Sequence, residues 1–200
     1  MRNVIFDVGG VLLDWNPDRV LGSYYAEPAE RTAMKEAIFL HADWLEVDRG
    51  VLTEAELLGR IARRVGRPVP ELAGLFESVR ESLQPKADTV ALLQALARRG
   101  VPLYCLSNMP LESFTYLQRR FNFWELFRGI VISGEINLVK PQPEIFEYLL
   151  DRYDLSAADS VFIDDYPVNV EAAKALGLHA VLFKDARQCE ESLRPLLPRA

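Results

Sequence analysis

Val4-Ile5-Phe6-Asp7-Val8-Gly9-Gly10 begins with an apolar run that ends on an acid and two glycines. Four more short runs of the same kind follow, so that Val4–Val8, Pro102–Leu106, Gly129–Ser133, Ser160–Asp164 and His179–Phe183 read as five strands. Nearly continuous apolar character marks strands covered on both faces, as in a parallel sheet. Helical patterns separate the later runs. Asp88 is expected to cap a helix with Val90, Leu93, Leu96 and Ala97 inward, closed by Gly100. Pro143 opens one carrying Ile145, Phe146, Leu149 and Leu150, and Pro167 opens another that stops at Gly177. The alternation predicts an α/β fold, with parallel strands joined by crossover helices.

The interval from Asn16 to about Leu83 breaks this rhythm. No strand signal occurs there, and helical spacing recurs four times. Asn16-Pro17 starts the first pattern and Pro28 the second; Thr53-x-x-Glu56 is a capping box ahead of the third, and Pro70 precedes the fourth. A crossover normally holds one helix, so this stretch reads as a small all-helical unit inserted after the first strand. The expected division is 1–15 with 84–200 as the α/β core and 16–83 as the insert.

Half of the 200 residues are hydrophobic and 26% are charged, an ordinary globular balance. The net charge of −6 argues against nucleic acid as a partner, because phosphate backbones need clustered Lys and Arg. No apolar stretch reaches membrane length, and Asp7 arrives too early for a signal peptide, so a cytoplasmic location with no membrane partner is expected. Cys105 and Cys189 form no CxxC pair, and Cys105 reads as a small buried hydrophobe. His41 and His179 are isolated and suggest no metal or triad role.

In a parallel sheet, ligands bind beyond the carboxyl ends of the strands. The residues that end these strands are Asp7, Ser107-Asn108 and Asp164-Asp165, while Lys140 lies in the loop after the third strand and Asn169 follows the fourth. Three acids on one rim repel one another, which a hard cation such as magnesium would relieve. Ser107 and Lys140 then supply donors to phosphoryl oxygens. The pattern points to phosphoryl transfer on a small phosphorylated substrate.

Four ordered motifs sharpen that reading. Ile5-Phe6-Asp7-Val8-Gly9-Gly10-Val11-Leu12-Leu13-Asp14, Leu106-Ser107-Asn108, Lys140-Pro141-Gln142-Pro143-Glu144-Ile145-Phe146 and Phe162-Ile163-Asp164-Asp165 resemble the four motifs of the haloacid dehalogenase-like superfamily. The resemblance covers the chain apart from the insert, which is similar in place and helicity to that family's helical cap. It implies a three-layer Rossmann-like core with a five-stranded parallel sheet, in a magnesium-dependent phosphatase. Asp7 would be the nucleophile that forms an aspartyl-phosphate. Asp7, the carbonyl of Gly9 and Asp165 would hold the metal, with Asp164 acting through water. Ser107 and Lys140 would bind the phosphoryl group with Asn108 close by, and Asn169 would steady Lys140 or the acidic loop. Trp15 and Asn16 follow the first motif, where they either line the opening or simply pack. Arg49, in Asp48-Arg49-Gly50, either reaches a sugar hydroxyl or phosphate or stands in an exposed turn. Monomer and homodimer are both open.

Most phosphatases of this family carry a second acid two residues after the nucleophile, where this chain has Gly9. A general acid is worth about 10²–10⁴ in rate. Without one, substrates that leave easily are favoured, and the Asp-x-Gly start resembles a subgroup that includes a bacterial α-glucose-1-phosphate phosphatase. A sugar 1-phosphate is therefore expected. The alternatives are a haloacid dehalogenase, which also lacks that acid, and a non-catalytic phosphate-ligand or protein-binding module.

Overall fold

The computed structural model describes residues 2–197. Five strands, β1 (Asn3–Phe6), β2 (Leu103–Ser107), β3 (Gly129–Ile132), β4 (Ser160–Asp164) and β5 (His179–Leu182), form one parallel sheet in the order β3-β2-β1-β4-β5. The register sets Val4 beside Leu103 and Val161, and Phe6 beside Cys105 and Ile163. Side chains alternate along each strand. Val4, Phe6, Leu103, Cys105, Val161 and Ile163 therefore bury on one face, while Ile5, Tyr104, Leu106 and Phe162 bury on the other.

Helices cover both faces. Helix α6 (Ala87–Arg98), α7 (Leu111–Arg120) and α11 (Ala186–Leu193) contribute Leu93, Leu96, Leu117 and Leu193 to the first face. Across the sheet, α9 (Pro143–Arg152) and α10 (Pro167–Ala175) bring Ile145, Phe146, Leu149 and Ala173. A one-turn helix, α8 (Ser133–Ile136), follows β3 directly. The result is a three-layer Rossmann-like α/β fold, in which the strand pattern's parallel α/β alternation and the layering implied by the family resemblance are both present.

Between β1 and β2 run α1 (Pro17–Tyr24), α2 (Pro28–Ile38), α3 (Ala42–Asp48), α4 (Glu54–Val65) and α5 (Val69–Ser82). They enclose a hydrophobic cluster of their own, with Leu21, Ile38, Leu57, Ile61, Leu72 and Leu75 fully buried. Trp15 packs against both this cluster and the sheet's. The Asn16 side chain accepts from Arg19 N at 3.0 Å to cap α1, and Thr53 with Glu56 closes the capping box of α4. Four helices were expected in this segment and five are present. The seven residues of α3 are too few for a hydrophobic period to show. Another small difference lies at α6, where Lys86 occupies the cap and Asp88 sits in the first turn. Among the described residues no helix is long and apolar enough to cross a membrane.

Gly129 starts β3 because nothing larger fits there: a Cβ would stand 2.3 Å from the Tyr153 ring. That ring is held by its hydroxyl, which donates to Ile130 O at 3.1 Å and accepts from Ile130 N at 3.0 Å. Gly129→Ala should cost about 1–3 kcal/mol through overpacking. A lower urea midpoint with an unchanged slope would register it.

Candidate active site

The chain order reverses at β1, because β2 and β3 lie to one side of it and β4 and β5 to the other. Such a switch point leaves a crevice beyond the strand ends. Asp7 stands just past β1, and its N–H donates to Ile163 O at 2.9 Å, one step beyond the paired strand. The chain then turns, with Val8 O accepting from Val11, Leu12 and Leu13 N. β1 is thus shorter than the apolar run suggested. Gly10 has φ +77°, and a Cβ there would lie 2.1 Å from Asp165 Oδ2. Only glycine lets the turn and the acid share that space.

Lys140 ties the crevice together. Its Nζ lies 2.8 Å from Asp7 Oδ1 and 2.7 Å from Asp164 Oδ2, with only 2% of the residue exposed. The backbone at Lys140 is fixed by Asn108, whose Oδ1 accepts from Lys140 N at 2.8 Å while its Nδ2 donates to Lys140 O at 2.9 Å. The Asn108 amide is therefore turned to the Lys140 backbone. Asp164 is fully buried and accepts from Tyr166 N at 2.8 Å. Asn169 Nδ2 lies 3.1 Å from both of its oxygens, so Asn169 steadies the acid rather than the lysine. Ser107 is buried at the end of β2.

Oxygens of Asp7, Asp164 and Asp165 all lie within 4.8 Å of one another. Burial pushes the Asp7 carboxyl up to about 7, with Lys140 opposing the shift and Asp164 adding to it. Asp165 is also raised, by burial first and then by Asp164. Burial works against the Lys140 ammonium, yet Asp7 and Asp164 outweigh it and hold the charge in place. One ammonium against three carboxylates leaves an excess of negative charge on hard oxygen donors. That donor set fits a divalent cation such as magnesium, which tolerates few protein ligands and keeps water and phosphate in its remaining positions.

The helical segment supplies the other side. Trp15 meets Phe39 edge-on at 5.8 Å and lies 5.8 Å from Trp44. Arg49 caps the end of α3; its Nε is buried, 3.7 Å from Glu46 Oε1, and has no hydrogen-bond partner among the described residues. Asp48 is the last residue of α3, and its carboxyl feels the charges of both Lys140 and Asp7. The sequence reading missed Asp48, as well as Ser133 and Asn137, which hold the backbone carbonyls of Asp48 and Arg49, respectively, to the α/β core. An acid beside an arginine and a glycine, next to a helix too short to recognise, looks like an ordinary turn.

Residues 1–177 match the family model for haloacid dehalogenase-like hydrolases. The chain belongs to that family. Among curated relatives of this hydrolase, the sesquiterpene phosphatase astK of Aspergillus oryzae is 31% identical over 98% of this chain and 96% of its own. The phosphorylated carbohydrates phosphatase of Thermotoga maritima is 26% identical over 90% and 84%. Of solved structures, the HAD family enzyme bt-2542 from Bacteroides thetaiotaomicron aligns with a TM-score of 0.77 at 21% identity, covering 97% of this chain and 98% of that one. The last likeness is one of fold. The expectation drawn from the four motifs is met at the level of family and phosphatase branch.

Two measurements test the charge balance. The unfolded Asp7 releases its proton near 3.8, and the folded one holds it to about 7. Between those values the folded chain binds a proton that the unfolded chain lacks, so stability falls as pH rises. Metal-free wild type should therefore lose melting temperature from pH 5 to pH 7.5 relative to Asp7→Asn. Magnesium at about a hundred times its dissociation constant should restore roughly 2.7 kcal/mol. Asp165→Asn should weaken that rescue.

Proposed function

We propose that the chain is a magnesium-dependent phosphatase of a small phosphorylated metabolite, working through an aspartyl-phosphate on Asp7. The observation that carries this reading is the cluster of Asp7, Asp164 and Asp165 oxygens within 4.8 Å, with Lys140 between two of them. Magnesium, when bound by Asp7, the Gly9 carbonyl and Asp165, would neutralise the carboxylates and draw charge from the phosphoryl oxygens. Asp164 would act at one remove, through water, since Lys140, Tyr166 and Asn169 already engage it.

The protein's own groups do the rest. Asp7, kept ionised at neutral pH by a bound cation, attacks phosphorus. Ser107 and the Lys140 ammonium donate to the phosphoryl oxygens as charge builds there. Asn108 positions Lys140 through its backbone, and Arg49 and Trp15 are available to the part of the substrate that leaves. Residues 16–83 act as a cap that shields the first step from water. The same reading takes the protein to be cytoplasmic and either a monomer or a homodimer.

Sugar phosphates are the substrates placed first. Trp15, Phe39 and Trp44 form an aromatic cluster suited to a sugar face. A relative is named for phosphorylated carbohydrates. Because Gly9 offers no proton, a sugar 1-phosphate, whose oxygen leaves readily, suits the core's residues taken alone. A haloacid dehalogenase is disfavoured, because three clustered acids would repel a haloacid anion. A binding module would have no use for a nucleophile lodged against Lys140.

The test is hydrolysis of 4-nitrophenyl phosphate and of a panel of sugar phosphates, with and without magnesium. Asp7→Asn should lower the rate by about 10³-fold or more. Chelation should do the same. Activity that survives either change, or halide release without metal, would overturn the assignment.

A further inference from the structure

Beyond β1 the core provides no proton donor at the position two residues after Asp7, since Gly9 has no side chain. Other acids nearby are committed. Asp14 pairs with Arg19 at 2.5 Å, Asp43 is tied to Arg60 and Arg64, and Asp164 and Asp165 belong to the carboxylate cluster. Asp48, like Asp43 a residue of α3, is different because among the described residues it shares no salt bridge.

Its backbone is keyed to the core at three consecutive residues. Ser133 Oγ donates to Asp48 O at 2.5 Å and accepts from Met109 N at 2.8 Å. Asn137, in the left-handed conformation that closes α8, donates through Nδ2 to Arg49 O at 3.0 Å. Gly50 passes so close that a Cβ would lie 2.5 Å from Gly134 O. These contacts seat the end of α3 on the corner between β3 and α8, beside Ser107-Asn108-Met109. From that seat the Asp48 carboxyl lies within electrostatic reach of Asp7 and Lys140, close to the Trp44 indole.

We propose that Asp48 is the general acid–base of the reaction, delivered by the helical segment in place of the acid missing at Gly9. The inference rests on the phosphatase reading above. In the first step an Asp7 oxygen bonds to phosphorus, the bond from phosphorus to the leaving oxygen breaks, and that oxygen takes the Asp48 proton to become an alcohol. In the second step water attacks phosphorus, its proton passes to the Asp48 carboxylate, and the Asp7–phosphorus bond breaks to release phosphate. Proton and electron pairs balance over the cycle, and no further reactant is needed. Burial pushes the Asp48 carboxyl up to about 7, Lys140 opposing and Asp7 adding. An acid there is partly protonated at neutral pH, as the role requires. Sugar phosphates esterified at ordinary alcohols then become substrates along with the 1-phosphates.

The decisive experiment is a leaving-group series from 4-nitrophenyl phosphate through phenyl phosphate to glycerol and hexose 6-phosphates. Wild type should show kcat/KM that depends weakly on the leaving-group pKa. Asp48→Asn should lose about 10²–10⁴-fold on the alkyl phosphates and far less on 4-nitrophenyl phosphate, steepening the dependence. Equal losses across the series, or full activity on alkyl phosphates, would overturn the proposal. The melting temperature and its response to magnesium show whether the variant is folded. Should it not fold, the wild-type series alone decides, because a steep dependence there excludes a proton donor. Asp7→Asn keeps the two readings apart: activity that does not need Asp7 fails the phosphatase mechanism, whereas selective failure at Asp48 fails only this inference.

Discussion

A lysine ammonium lodged between two buried carboxylates is the constraint on which the rest of the molecule depends. Lys140 holds Asp7 and Asp164 at 2.8 and 2.7 Å, and the three residues come from widely separated parts of the chain. Burying such a cluster costs several kcal/mol per ion before attraction repays it. Its upkeep explains otherwise unrelated features. Asn108 grips the Lys140 backbone from the end of β2, Asn169 holds Asp164 from α10, and Gly10 leaves room for Asp165. Hydrophobic replacements of buried ion pairs are often neutral or stabilising, so stability alone gives no reason for the cluster. What the arrangement supplies is a carboxylate at Asp7 poised between protonation and ionisation, with a fixed cation at its side.

The helical segment meets the α/β core without sharing the sheet's hydrophobic faces. Its cluster is separate, and Trp15 is the large side chain that packs on both. The polar contacts that seat the end of α3 fall at Ser133 and Asn137, just after β3, a strand that carries no acid of the cluster. The segment is thereby referenced to the β2–β3 side of the crevice rather than to the side of β1 and β4. Positioning of this kind fixes a side chain at the end of α3 relative to Lys140.

Much of this was legible in the sequence, for definable reasons. Continuous apolar runs ending on Asp7, Ser107 and Asp164 announce strands whose carboxyl ends carry polar groups, and parallel pairing forces those ends onto one rim. Proline, asparagine and the Thr53–Glu56 box are local signals, so the starts of α1, α2 and α4 could be read directly. α3 could not, since seven residues make barely two turns. The contacts of Ser133 and Asn137 with Asp48 and Arg49 span more than eighty residues and leave no trace in any local pattern. Asn108 shows the same limit from the other direction. Its place in a motif was visible, but that its amide serves the Lys140 backbone depends on two loops meeting.

At Gly9, proton delivery is not limited by space. A Cβ at that position would meet nothing closer than Trp15 Cβ at 3.9 Å, and its backbone is not in the left-handed region. An aspartate could therefore stand there, and sterics do not explain its absence. Three acids already crowd the crevice, and a fourth on the same turn would raise their mutual repulsion. On the proposal above, an acid at the end of α3 stays off the turn that carries Asp7, though still within reach of the Asp7 charge, and lies close to the indole of Trp44. Burial there keeps it partly protonated near neutral pH, a state that an acid close to a bound divalent cation would find harder to hold. On that proposal, the element that meets the leaving group would also be the element that protonates it.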